Sequence, residues 1–359
     1  MLDRKKLNRY FNRTFEAILP LLAVPVALLI GVLMLLALRV NPVDAYRSLI
    51  LGAFGNISGL TQTLVKATPL LLVGLGVVIA FRGGIINIGG EGQLLVGALS
   101  TTAVAISFAA LPGWILLPLS LLSGVLGGAV WGGIPGILKA KLGVNEILST
   151  VMMNAIAIQL GNFLLRGPMI DPAEIEAGTR IAQSALLPRH AWLIRLVPRT
   201  LLHGGAIIAL VMAVLVFIFL WRTTIGYRIR AVGLNIHAAR YAGIKVTFYQ
   251  ALSLILGGAF AGLAGAVEVL GVQHRMLEGL SGGYGFTGIV VALFGGLHPL
   301  GAIPASVLFG GLVVGADQMQ RSVQVPSALI NTLLGLIVLL VVGTQIWSTT
   351  RARRRETNE

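Results

Sequence analysis

Polar side chains are concentrated at one interruption of a strongly apolar chain. The segment Phe81 to Gln93 carries five glycines and four polar side chains between two long apolar runs. Non-helical backbone is tolerated at membrane depth only where it lines a cavity or is covered by protein, and a broken helix offers free N–H and C=O groups to a polar solute. We interpret the segment either as a structured break within the membrane or as a plain turn at its surface, with Glu91 capping the following helix.

Other polar groups lie inside or at the ends of apolar runs and are candidates for contact with a passing solute. A carboxylate near the bilayer centre costs roughly 2.5–3.5 kcal/mol on insertion scales, so the carboxylates among them should face protein or water. Amide side chains within helices also form interhelical hydrogen bonds, and a glutamate near a span end can equally be a solvated loop residue. Contact with solute and these structural roles therefore both stay open for each residue. The candidate path residues are Asn87, Glu91, Gln93, Asn154, Gln159, Asn162 and Glu268.

The segment 226–244 is a second candidate site, suited to binding another protein. Asn235 is a good helix N-cap and Gly243 a good residue after a helix C-cap, which predicts a two-turn helix between them. Its small residues let the helix lie deep in a groove of a partner, where Ile236 and Tyr241 are candidate anchors. A basic loop resting on anionic lipid is the alternative. The candidate docking residues are Asn235, Ile236, Ala238, Ala239, Arg240, Tyr241, Ala242 and Gly243.

The elements that must position these residues are long apolar helices. Of the 359 residues, 56% are hydrophobic and 11% charged, and the mean hydropathy is +0.89. Long apolar runs recur with short breaks, which is typical of bilayer spans rather than of one soluble core. The sequence predicts an all-α, polytopic transmembrane helical bundle of about ten spans, in a single domain covering 1–359. The predicted spans are 17–38, 60–81, 93–110, 114–138, 146–165, 204–221, 250–271, 286–297, 301–316 and 327–347.

Glycines at four-residue spacing predict how these helices pack. Gly124, Gly128, Gly132 and Gly136 follow one another along the fourth span, and Gly258 and Gly262 repeat the spacing in the seventh. Small residues at this spacing let helix backbones approach closely in lipid. We therefore expect these glycines to form packing faces without any chemical role.

The distribution of basic residues predicts the topology. With the N-terminus inside, the cytoplasmic segments hold seventeen of the 27 Lys and Arg residues, counting Arg82, Lys139 and Lys141 in the short loops, as the positive-inside rule requires. The prediction is N-in and C-in, with cytoplasmic segments 1–16, 222–249 and 348–359 and an external, partly structured segment 166–203. The net charge of +14 thus points to membrane lipid and not to nucleic acid as the partner.

Several classes of chemistry are disfavoured by the residues present. The chain has no Cys, which removes disulfides and thiolate metal sites, and its five His residues show no metal-binding spacing. No P-loop motif occurs, so ATP would be bound by another polypeptide. An intramembrane serine protease using Ser281 and His298 is one rival, but the two residues fall at opposite ends of a predicted helix. We expect no catalytic residue, no metal and no cofactor.

The chain resembles the permease family of ABC importers, which includes ribose-type and branched-chain amino-acid permeases. Three segments carry the resemblance, namely 81–93, 230–244 and 288–296. Within the family the chain is most similar to the nucleoside or simple-sugar branch, a choice strengthened by Met319-Gln320 ahead of Val325-Pro326. The resemblance covers nearly the whole chain from the second predicted span onward, and 166–203 is its least typical part.

The resemblance implies a multi-pass protein of the cell membrane that forms a translocation path together with a second permease, often a different one. Two cytoplasmic ABC ATPase subunits would drive transport, and an extracytoplasmic substrate-binding lipoprotein would deliver the solute. The helix between Asn235 and Gly243 would be the coupling helix that docks to the ATPase. Nucleosides are the expected solutes, and simple sugars are the alternative. A further rival is an ion-coupled secondary carrier, for which Glu91 and Glu268 are the only acidic candidates.

Overall fold

The computed structural model describes residues 25–326 and single positions beyond them (332, 335, 336, 339, 340 and 343). Within 25–326 the chain is built of helices joined by loops, with two isolated β-bridges and no longer strand. The helices are α1 (Pro25–Ala37), α2 (Pro42–Phe54), α3 (Ile57–Arg82), α4 (Gly90–Ser107), α5 (Gly113–Leu142), α6 (Glu146–Arg166), α7 (Pro172–Glu176), α8 (Gly205–Arg222), α9 (Thr224–Leu234), α10 (Ile236–Tyr241), α11 (Val246–Glu268), α12 (Tyr284–Phe294) and α13 (Pro299–Val323).

The all-helical prediction is confirmed for this part of the chain. Six of the described helices are long and apolar enough to cross a membrane: α3, α5, α6, α8, α11 with the π-helical turn that follows it, and α13. The described helix α12 is too short for that test, at 11 residues, and α4, although 18 residues long, is not among the helices that pass it. Apart from those single positions, the predicted span 327–347 lies outside the described residues, as does the part of 17–38 before Pro25.

Two helices lie where we expected none. Helix α2 begins after Asn41, whose side-chain oxygen accepts the N–H of Val43, with Pro42 in the first turn, a favoured position for proline. Helix α9 occupies the first half of the segment 222–249, capped by Thr223 in the same manner. Both are only 13 and 11 residues long, too short to stand out as apolar runs of membrane-spanning length.

The chain divides into two compact units. Unit 1 comprises Met1–Thr63 and Gly311–Glu359, and unit 2 comprises Leu64–Gly310. In unit 1, a small core contains Leu35, Ala45 and Met319, all fully buried. Helix α2 also packs on α3, where the Thr63 hydroxyl donates to the Ala53 carbonyl at 3.0 Å.

Unit 2 is organised around α11, which packs on α5 and α4 through glycines. A Cβ added at Gly128 would clash with the Gly258 carbonyl, and one added at Gly262 would clash with the Gly124 carbonyl. Gly97 of α4 meets Gly262 in the same way. The predicted glycine packing faces are thus confirmed, since only residues without side chains permit this backbone approach.

The two ends of unit 2 carry different elements. We call the end that carries α10 the α10 end; the C-terminus of α3 and the N-terminus of α11 also lie there. At the opposite end, which we call the 182–203 end, the segment 182–203 covers the loop after α11. Its backbone hydrogen bonds there include Leu193 N–H to Leu270 and Leu187 N–H to His274. The expectation of a partly structured segment is confirmed by these contacts and by α7.

Candidate functional site

The break between α3 and α4 covers residues 83–89 and is mostly buried. Gly84 turns the chain at a φ of +73°, which glycine adopts without strain. The Asn87 side chain is 1% exposed, and its oxygen accepts the Gly89 N–H at 2.9 Å. The Asn154 amide donates to the Ile88 carbonyl at 2.9 Å. Backbone groups that leave the helical ladder therefore keep partners inside the protein.

Three candidate path residues form one hydrogen-bonded network at this break. The Asn87 and Gln93 side chains exchange two hydrogen bonds, of 3.0 and 3.2 Å. The Asn154 oxygen accepts the Gly92 N–H at 2.8 Å, which ties α6 to the start of α4. All three side chains are buried. Because their polar atoms bind protein groups, the network holds the break in one shape.

Glu91 links the N-terminus of α4 to that of α12. Its two carboxylate oxygens accept the N–H groups of Gly283 and Gly285 at 3.1 and 2.7 Å. These N–H groups belong to the start of α12, where the helix has unsatisfied donors and a partial positive charge. The carboxylate is deeply buried, at 6% exposure, and it compensates both the donors and the charge. Glu91 thus caps α12 rather than its own helix.

Lys66 lies near Glu268 and is not among the predicted path residues. Lys66, in the middle of α3, donates from Nζ to the Tyr284 hydroxyl at 2.9 Å and lies 5.5 Å from the centre of that ring. Its charge also acts on Glu268, which is 2% exposed. Lys66 could have been predicted as a functional residue from the sequence, because a lone cation inside an apolar span costs free energy and is usually functional.

Gln159 and Asn162 lie away from the break network, further along α6. Gln159 is exposed and Asn162 partly exposed, and the Asn162 amide is 3.4 Å from the Gln159 oxygen. The seven candidate path residues therefore divide into three places: the break network with Glu91, the surroundings of Lys66 with Glu268, and the exposed face of α6.

The predicted docking helix is present as α10 and is capped at both ends. The Asn235 side chain accepts the Ala238 N–H at 3.0 Å. At the other end Gly243 has a φ of +76°, and the Gly243 and Ile244 N–H groups donate to the carbonyls of Arg240 and Ala239, which is a Schellman motif.

The exposure pattern of α10 separates an inner from an outer face. Tyr241 is 95% exposed and Ile236 is 38% exposed, whereas Ala239 is buried against the chain itself at 3%. Ala238, Arg240, Ala242 and Gly243 are also exposed. Ala239 therefore holds the helix on the protein, and the remaining residues present a surface to solvent.

The segment leading into α10 packs directly on the break. Gly233 of α9 lies against the backbone of Arg82 and Gly84, and a Cβ at Gly233 would clash with the Arg82 carbonyl. The centre of the Trp221 ring lies 5.5 Å from the guanidinium group of Arg82 and 5.4 Å from that of Arg230. Cation–π contacts and backbone packing therefore both join these elements to the start of the break.

Arg82 continues this connection toward α12. Its Nε donates to the Leu297 carbonyl at 2.9 Å, just after α12 ends. Glu91 holds the other end of α12, so both ends of that helix are tied to residues flanking the break.

At the 182–203 end, His203 and His274 are buried where the segment 182–203 covers the loop after α11. The His274 ring stacks on Trp192 at 3.7 Å between centroids, and neither of its nitrogens has a hydrogen-bond partner within the described residues. His203 Nδ1 accepts the Gly205 N–H at 3.1 Å. Burial lowers the pKa of His203 to about 4, aided by His274. Burial and then the Arg195 charge lower the pKa of His274.

The serine protease alternative fails on geometry. Ser281 precedes α12 and His298 follows it, so an 11-residue helix, about 16 Å long at 1.5 Å per residue, separates them. The His298 ring instead lies 4.9 Å from that of Trp221. A nucleophile and its base must lie within hydrogen-bonding distance, which this arrangement prevents.

A bundle of apolar helices with a buried polar break defines a membrane permease, and the chain belongs to the family described as branched-chain amino acid transport system / permease component, which it matches over residues 59–342. It is thus an integral membrane protein and a transport component, not an enzyme.

Particular relatives are similar over almost their whole length. The chain is 39% identical to the guanosine ABC transporter permease protein NupP of Bacillus subtilis, over 92% of this chain and 94% of that protein. It is 37% identical to the glucose ABC transporter permease protein TsgB13 of Haloferax volcanii, over 91% and 87%. It is 34% identical to the nucleoside ABC transporter permease protein NupB of Lactococcus lactis, over 92% of each chain. Bacillus subtilis and Lactococcus lactis also hold second, less similar relatives, NupQ and NupC.

Proposed function

We propose that this chain is a permease subunit of an ABC importer for nucleosides. The observation that carries the proposal is α10, a helix capped at both ends that exposes Tyr241 while its preceding residues rest on the break. Relatives named for guanosine and for nucleosides, at 39% and 34% identity, support the choice of solute. The existence of second permeases in the same bacteria supports pairing with a different permease subunit.

In this proposal the partners act on opposite ends of the chain. A cytoplasmic ABC ATPase receives α10 in a groove, with Tyr241 and Ile236 as anchors. An extracytoplasmic lipoprotein delivers solute at the 182–203 end. ATP-driven closure of the ATPases moves α10, and Gly233 passes that movement to the break at Arg82 and Gly84. Access to the path then switches between the two sides.

The proposed topology has about ten spans with both termini in the cytoplasm, in one permease domain. Six described helices have spanning length and composition, and the excess of Lys and Arg on the α10 side of the predicted spans supports the orientation. Helices α4 and α12 start within the membrane at the break and at Glu91, so they cross only part of it.

The candidate path residues have two different roles in this proposal, one structural and one in contact with solute. Asn87, Gln93 and Asn154 shape the break, because their polar atoms are already bound to protein. Gln159 and Asn162 have the free surface needed for direct contact with solute. Charged groups along this route are few, so the delivering protein sets most of the affinity.

A sugar importer is the second candidate, favoured by the relative named for glucose at 37% identity. Both solute classes present hydroxyl groups to the same kind of amide side chain, so the two differ mainly in the flat apolar base. Competition between labelled guanosine and unlabelled glucose during uptake distinguishes them.

The test has two stages. The chain is purified from membranes with its associated proteins, and ATPase association is compared in wild type, Tyr241→Asp and Tyr241→Phe. We expect the aspartate variant to lose the ATPase, because a carboxylate would be buried unpaired in the groove, and the phenylalanine variant to keep it.

The second stage reconstitutes the transporter in proteoliposomes and measures guanosine uptake. Uptake should require ATP and the ATPase subunits. Nucleoside uptake by the permease alone, driven by an ion gradient, would establish the secondary carrier instead.

A further inference from the structure

A cavity of about 250 Å³ lies at the 182–203 end of unit 2, between α6 and the loop that precedes α12. Its lining includes the apolar side chains of Leu95, Ile158 and Met276. Uncharged polar groups come from Asn162 and Ser281, and the charged side chain of Glu278 also lines the cavity. Ligand sites typically combine such an apolar lining with a few convergent polar groups, and this cavity is small enough to select compact solutes.

The polar groups in the cavity can serve a solute as donors and acceptors. Ser281 is only 6% exposed, and its hydroxyl can both donate and accept a hydrogen bond. Asn162 makes one long contact, of 3.4 Å, from its NH₂ group to Gln159, which leaves its carbonyl oxygen available to a ligand. These groups suit a hydroxylated solute without offering it a net charge.

An ion pair lies beside the cavity. Arg166, the last residue of α6, lies 3.0 and 3.3 Å from the two oxygens of Glu278, which itself lines the cavity. The two side chains are 64% and 44% exposed, and exposed pairs of this kind contribute little stability. The pair is therefore easily broken and remade, as a latch between α6 and the loop requires.

We propose that this cavity is a binding site on the translocation route for a neutral solute with a flat apolar face and a hydroxylated edge, the chemistry of a nucleoside. The Arg166–Glu278 pair is its latch. The base packs against Leu95, Ile158 and Met276, and the sugar hydroxyls bind Asn162 and Ser281. This inference rests on the proposed function and adds the place where the permease itself contacts the solute.

The first test fills the cavity. A side chain added at Gly161, which lines the cavity, meets only Leu99 at 3.8 Å, so Gly161→Phe projects into the space and Gly161→Ala leaves it open. In the complete transporter in proteoliposomes, we expect Gly161→Phe to lose guanosine uptake while retaining ATPase association, and Gly161→Ala, which adds only a methyl group to the cavity lining, to lose much less uptake than Gly161→Phe. Full uptake by an assembled Gly161→Phe transporter would overturn the proposal.

The second test locks the latch and decides the matter if Gly161→Phe does not assemble. Because the chain has no Cys, Arg166→Cys with Glu278→Cys introduces two unique thiols. A reducible thiol-to-thiol cross-linker should abolish uptake, and dithiothreitol should restore it, while each single variant is unaffected by the reagent. Unchanged uptake in the cross-linked protein would refute the latch and the site.

The identity of the solute is tested separately. If wild-type transporter itself takes up glucose but no nucleoside, the proposed solute is wrong, and the two tests of the cavity are then made with labelled glucose.

Discussion

Replacing Glu91 tests whether its carboxylate holds α12 or contacts solute. In Glu91→Gln one oxygen remains for one glycine N–H, but the NH₂ group faces the other, so one charge-assisted hydrogen bond is lost. Such a bond contributes about 1.5–3 kcal/mol, and loss of the charge beside the helix N-terminus adds about 0.3–1 kcal/mol. We expect a loss of about 2–4 kcal/mol in unfolding free energy, and a larger loss in Glu91→Ala, which removes both bonds.

The assay is unfolding of the purified protein in mixed micelles by increasing SDS, with amide hydrogen exchange as a local readout. Exchange should accelerate at Gly283 and Gly285, the two donors, before it does so in α11. Glu176→Gln is the matched control, because Glu176 is an exposed acid at the end of the short helix α7, and it should leave both readouts unchanged.

One outcome would refute this role for Glu91. If Glu91→Gln unfolds like wild type and keeps slow exchange at both glycines, the carboxylate does not hold α12. A change confined to the guanosine concentration that gives half-maximal uptake would then assign Glu91 to the solute.

Three further predictions concern packing, pH and topology. Gly128→Val should lower stability by about 1–3 kcal/mol or more through overpacking against Gly258, whereas Gly161→Ala should not, as SDS unfolding of the pair would show. Burial lowers the pKa of His203 to about 4 and that of His274 below 6.5. As pH falls, both histidines are therefore protonated in the unfolded state before they are protonated in the folded state. Packing of the 182–203 segment should therefore be full above pH 6.5 and weaken as pH falls toward 4, which proteolysis of that segment would reveal. A single cysteine at Ala238 and a single cysteine in 166–203 should react with a membrane-impermeant thiol reagent added to opposite sides of the membrane. Labelling of both positions from the same side would contradict the topology.

Much of the local structure could be predicted from the sequence. The cap residues Asn235 and Gly243 lie within one segment with the helix that they bound, so α10 followed from residue types alone. The glycine faces followed likewise, because four-residue spacing places side chains on one side of a helix. Helices α2 and α9 were not predicted because both are shorter than a membrane span, although Asn41 and Thr223 are favoured N-cap residues.

The partners of the polar residues could not be predicted. The sequence suggested Glu91 at the start of its own helix or against solute, whereas its carboxylate binds N–H groups 192 and 194 positions away. Asn154 reaches the break from 62 positions away, and Lys66 binds Tyr284 across 218. Such contacts depend on which helices are neighbours, and hydropathy does not specify neighbours.

The amino-acid sequence by itself determined that this protein is a helical membrane permease and where its exposed docking helix begins and ends. Those properties depend on apolar run length, capping and spacing, which act over a few residues. The tertiary structure alone decided which buried polar groups bind protein and which face open space. The physical reason is that a buried carboxylate or amide must find partners wherever packing brings donors and acceptors, and packing is a property of the whole bundle.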